Sequence, residues 1–194
     1  MNKPEERRVV VGELRTINEG GGLKIAGHAA KFDLMSEDLG GFRERIAPGA
    51  FAKTIQSGDV RALWNHDANI VLGRNTAGTL RLSEDSAGLY YEVDAPDTQL
   101  VRDMVLAPIA RGDVNQCSFG FYTLSDKWAK VDGEWVRTLL EVDLFDVSPV
   151  TYPAYPQTDV AVRSLQAAQA SAVPPVLFDA TDLTLRRMRL DLAR

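Results

Sequence analysis

The chain has one cysteine and two histidines among its 194 residues, and those shortages exclude several chemistries at once. A single thiol, Cys117, has no partner for an intrachain disulfide, which suits a reducing compartment. His28 and His66 stand far apart, and neither an HExxH nor a CxxC pattern is present, so a zinc hydrolase has no framework. Phosphate chemistry lacks its GxxxxGK loop, and the glycine-rich NEGGGLK at 18–24 lacks the strand-before, helix-after setting that gives such a loop meaning. The GxSxG elbow of the commonest cytosolic hydrolases is missing too. Positive charge is in the minority, 22 Lys and Arg against 27 Asp and Glu, and a net charge of −5 argues against a general nucleic-acid binder. No apolar run approaches membrane-spanning length, and the charged opening MNKPEERRVV contains no apolar core of a secretory leader. These absences predict a soluble intracellular protein.

What is present suits one globular domain and a tail: 45% of residues are hydrophobic and 25% charged. Strands and turns dominate. VRALWNHD (60–67) alternates, with Val60, Ala62, Trp64 and His66 predicted on one face. GTLRLSEDSAGLYYEV (78–93) has the form of a hairpin, and a second hairpin is predicted at VDGEW (131–135), where Asp132-Gly133 is a strong type I′ signal. APGAFAKTI (47–55) predicts the start of a helix at Pro48, and DTQLVRDMVLAPIARGD (97–113) a helix capped by Asp97 and kinked or ended at Pro108. Strands around 114–124 and 137–150 follow. The predicted class is mainly β with a few helices (α+β), a mostly antiparallel sheet or barrel with helices outside. A domain boundary is expected near 163, before an Ala/Pro-rich linker (164–182) and a basic helix (183–194).

NQCSFGF (115–121) holds the candidate nucleophiles. A serine hydroxyl reacts near neutral pH only when a positioned base takes its proton, and His66 is a natural base for Ser118, with an unperturbed pKa of about 6.5. His28, among small apolar residues in AGHAA, fits a structural role. Cys117 is intrinsically the better nucleophile, but on a strand it points away from Ser118, and free cysteine favours the core. The long strand offers Glu141, Asp143 and Asp146 as the acid that orients the base. Strict alternation puts Glu141 and Asp143 on one face and Asp146 on the other, with Val142 and Leu144. An acid inside an apolar strand needs a partner.

The ordered strings GGFRERIAPGAF (40–51), LWNHD (63–67), GLYYEVDAPDT (88–98), IARGDVNQCSFGF (109–121) and DLFDVSPVTYPAYPQTDVAVR (143–163) resemble the prohead serine protease family of tailed phages. That family is similar to the herpesvirus assembly proteases, and the resemblance implies an antiparallel β-barrel wrapped by helices. It also implies His66 as general base, Ser118 as nucleophile and Glu141 as the third member, with Asp143 on the same face. No cofactor is implied, and the backbone near Gly120 is a candidate for holding the oxyanion. The implied substrate is the scaffolding segment of the major capsid protein, or a separate scaffold protein, cut inside the procapsid in the bacterial host. The enzyme would process itself as well, losing its basic tail by cleavage in the linker. An inactive assembly or scaffolding protein with the same fold is the alternative. Oligomeric state is left open, and neither nucleic acid nor membrane is an expected partner.

Overall fold

A computed structural model describes residues 5–11, 14–19, 22–152 and 165–170. Its frame is one long hairpin, β9 (Gln116–Val131) with β10 (Glu134–Val150). Asp132 and Gly133 join them at φ values of 51° and 88°, the left-handed pair that a type I′ turn requires. β1 (Glu6–Val11) pairs antiparallel along the outside of β9, with Val9 opposite Ser118. On the other side β10 takes two parallel neighbours. β4 (Phe42–Ile46) lies along Trp135–Leu139, and β5 (Arg61–Trp64) along Asp146 and Val147. β6 (Asp67–Arg74) closes this sheet against β5. A second, antiparallel sheet follows the order β2 (Arg15–Glu19), β3 (Gly22–Lys31), β8 (Gly88–Asp94), β7 (Leu80–Glu84).

Two corrections to the expected architecture follow. The described strands form two sheets rather than a closed barrel, and the larger one is mixed rather than antiparallel. The chain reaches β4 and β5 by crossovers instead of hairpins, a topology that local alternation cannot reveal. The two sheets share a core that includes Ile25, Phe51, Leu72, Tyr91, Phe119 and Leu144. Each such side chain contributes about 1.5–3 kcal/mol on burial.

The predicted hairpins at 80–94 and 116–150 are present. Helices are shorter than expected. α1 runs Ala52–Ser57, with Pro48 in the turn before it. The second helical stretch is α2 (Gln99–Val101), a π-helical turn (Arg102–Leu106) and α3 (Ala107–Arg111). Its cap is Thr98, whose hydroxyl accepts from the Val101 N–H at 3.3 Å, rather than Asp97. The π widening ends two residues before Pro108, whose ring removes a backbone donor, and the helix continues past that residue to Arg111.

Residues 165–170 are helical, and Leu165 packs with Leu39 and Phe42 in a small separate core flanked by Trp128 and Trp135. Contact with the body therefore continues beyond position 163. The rest of the expected linker and the basic helix at 183–194 lie outside the described residues. Among the described residues no helix is long and apolar enough to cross a membrane.

Candidate active site

Three elements of the larger sheet converge on Ser118. β9 supplies the serine. β10, its neighbour, places Ser148 opposite Ser118 and Asp146 opposite Gly120. The β5–β6 turn brings His66 over them. The strand alternation that put His66 on the Trp64 face does not hold, because β5 stops at Trp64 and pairs it with Asp67. Asn65 and His66 are the two central residues of that tight turn, with φ values of 54° and 59°. Left-handed backbone is uncommon for non-glycine residues, and Asn and His tolerate it better than most.

The turn is tied to the end of β10. The Asn65 N–H donates to the Pro149 carbonyl at 3.0 Å, and the Asn65 side-chain oxygen accepts from the Thr151 N–H at 2.9 Å. His66 is thus held in an unfavourable conformation by its surroundings, a common feature of functional sites.

From this turn the imidazole reaches both partners. Its Nε2 lies 2.7 Å from Ser118 Oγ, and its Nδ1 lies 2.7 Å from Asp146 Oδ1. An ionised carboxylate only accepts, so Nδ1 carries the ring hydrogen and the Nε2 lone pair faces the serine hydroxyl. A base in that tautomer can take the Ser118 proton, and the carboxylate then faces the resulting imidazolium. Ser118 has no exposed surface, and His66 and Asp146 are nearly as enclosed. Electrostatic effects are strengthened in such a setting.

The acid beside His66 is Asp146, where the resemblance implied Glu141. Glu141 points outward and binds Lys53 Nζ of α1 at 2.8 Å, a partly exposed ion pair. Asp143 is exposed. The cause is irregular pairing in β10, with three register shifts. Register shifts lie on both sides of Glu141 and again between Leu144 and Asp146. Val142 and Leu144 belong to the core, and so does Val147, so facing changes parity around Phe145. Asp146 therefore leaves the core face and joins Ser118. The sequence does carry one usable signal: Asp146 is the acid set into the most apolar surroundings, and it is the one that most needs a partner.

Gly120 is the further residue that alternation does not reveal. A Cβ there would stand 2.6 Å from Asp146 Oδ2 and 2.6 Å from the Phe145 ring. Its lack of a side chain lets the carboxylate lie against β9. Instead of presenting an open loop for an oxyanion, Gly120 sits inside the ladder between Arg7 and Asp146.

Cys117 is buried on the core side, and burial pushes its thiol up to about 12, so it stays protonated. His28 behaves as expected of a structural histidine. Its Nε2 lies 2.9 Å from Asp85 Oδ2, and its ring meets Tyr90 edge-on. Among the described residues no group of three His, Cys, Asp or Glu side chains gathers as a metal site.

No curated protein matches the chain. Among solved structures, the bacteriophage T4 capsid assembly protease gp21 is similar over 77% of this chain and 99% of that one, at 12% identity and a TM-score of 0.46. The family comparison is extensive: residues 12–172 match the family described as caudovirus prohead serine protease, and the chain belongs to that family.

Proposed function

We propose that the chain is a serine endopeptidase that matures procapsids, with Ser118 as nucleophile, His66 as general base and Asp146 as the acid that orients it. The carrying observation is the unbroken hydrogen-bonded series from Asp146 through His66 to Ser118. In the proposed reaction the Ser118 oxygen attacks a peptide carbonyl as His66 Nε2 takes its proton. The tetrahedral intermediate collapses to an acyl-enzyme while His66 protonates the departing amine. Water, activated by the same ring, then releases the acyl group and restores Ser118. The proposed substrate is the scaffolding segment of the major capsid protein, or a separate scaffold protein, cut in the procapsid interior. Self-cleavage in the stretch between Leu165 and Asp182 belongs to the same proposal.

One observation favours a second reading, an assembly protein without activity: Ser118 is fully enclosed. Co-expression with a major capsid protein as candidate substrate separates the two, with the intact mass of both chains as the readout. The protease reading expects fragments with wild type and none with Ser118→Ala. Uncut chains in both cases would leave the assembly role.

A further inference from the structure

Ser148 is one more buried polar side chain in this site, and the series from Asp146 to Ser118 does not include it. It stands directly across the β9–β10 ladder from Ser118 and two residues along β10 from Asp146, on the same face. Its hydroxyl donates to Asp146 Oδ1 at 2.8 Å, the same oxygen that accepts from His66 Nδ1. It is fully buried.

We propose that Ser148 is a positioning residue that fixes the Asp146 carboxylate, and through it the tautomer and proton affinity of His66. The inference rests on the protease reading of the site. A carboxylate with one oxygen held by two donors cannot rotate freely, so Oδ1 stays on Nδ1. The second donor also spreads the negative charge, which weakens the pull of Asp146 on the proton of an imidazolium. Without the hydroxyl, the carboxylate turns more freely and draws a proton onto the His66–Asp146 couple more strongly.

The charged groups around this couple have other partners: Arg7, opposite Gly120 on β1, pairs with Glu5 at 2.7 Å, and Asp67, next to His66, accepts from the Asn69 N–H at 2.8 Å. Cys117 on β9 stays neutral. Arg61, paired with Asp146 in the β5–β10 register, commits its guanidinium to Asp59 at 3.2 Å. Glu141 is bound by Lys53.

The test is the pH profile of capsid-protein cleavage by purified full-length protein, for wild type, Ser148→Ala, Ser148→Thr and Ser118→Ala. Ser148→Ala is expected to cut roughly 10–100-fold more slowly, the loss typical of a misplaced catalytic group. Its acidic limb should move up by about one pH unit, the shift expected from losing a hydrogen bond to a charged group. Ser148→Thr, which keeps the hydroxyl, should restore rate and profile. The inference is overturned if Ser148→Ala keeps the wild-type rate and profile, or if its rate falls with an unmoved limb. Should Ser148→Ala fail to fold, Ser148→Thr decides: a folded Thr variant with a shifted limb overturns the inference, and an unshifted one supports it. Cleavage that survives Ser118→Ala would instead remove the protease reading itself.

Discussion

The long hairpin carries two buried polar clusters of opposite character. Near one end of β10, Ser118, His66, Asp146 and Ser148 share a short series of hydrogen bonds with a single carboxylate. Toward the other end, Glu6, Arg8, Glu44, Asp126 and Arg137 form a dense ionic network. Arg8 Nε reaches Glu44 at 2.7 Å and Arg8 Nη2 reaches Glu6 at 2.9 Å. Arg137 binds Glu6 at 2.7 Å, Glu44 at 3.0 Å and Asp126 at 2.7 Å. Burial alone would raise the Glu6 carboxyl, but the Arg137 hydrogen bond and charge, with Arg8 and Thr123, hold it below its ordinary value.

In the network both cations are guanidinium groups, which do not give up protons near neutral pH, so it can lock β1 and β4 onto the hairpin without exchanging protons. The first cluster has an imidazole at its centre, the one side chain that changes charge near pH 7. Fixed ions hold this sheet together, and in the proposed mechanism a titratable ring makes part of it reactive.

The largest effects that would sharpen this contrast are on cleavage. Ser118→Ala and His66→Ala should each lower it by about 10⁴-fold or more, because members of such a unit act together. Asp146→Asn should follow at roughly 10³–10⁴-fold, since the amide no longer fixes the base-competent tautomer. Glu141→Gln should stay within a few-fold of wild type. An Asp146→Asn enzyme as active as wild type, beside a dead Glu141→Gln, would reverse the assignment.

Gly120→Ala is expected to lose roughly 10–100-fold in rate, as its Cβ displaces Asp146 or Phe145. The ionic network should answer in stability rather than rate. Arg137→Met is predicted to cost about 3–5 kcal/mol in denaturant unfolding, because it leaves buried carboxylates short of a partner. The network also predicts an acid limit. Because the Glu6 pKa is depressed in the folded protein, its stabilisation is complete above the ordinary value of 4.5 and fades as pH falls through the lower folded value. Melting temperatures measured from pH 6 to pH 3 should therefore fall below about pH 4.5, and less steeply in Glu6→Gln. The smallest effect should be Cys117→Ala on cleavage, since its thiol faces the core.

Much of this was legible in the sequence, for local reasons. Asp132-Gly133 announces its turn because few residue pairs accept two left-handed conformations. His66 and Ser118 stand out because the chain has so few histidines and because the family resemblance covers both strings. What was hidden depends on pairing between distant segments. The parallel seats of β4 and β5 beside β10 leave no local mark. Strand alternation places Asp146 on the face of Val142 and Leu144, and the irregularity at Phe145 moves it to Ser118. Asn65-His66 in WNHD could have been recognised as a turn, but the apolar-polar rhythm of VRALWNHD masks it.

The most direct test of the central claim is covalent labelling of the nucleophile under conditions in which the capsid protein is being cut. A fluorophosphonate probe added to wild type, Cys117→Ala and His66→Ala, followed by peptide mapping, reports which atom is activated. A single adduct on Ser118 is expected in wild type and in Cys117→Ala, and none in His66→Ala. An adduct on another residue, or labelling of Ser118 that is indifferent to His66, would contradict the central claim.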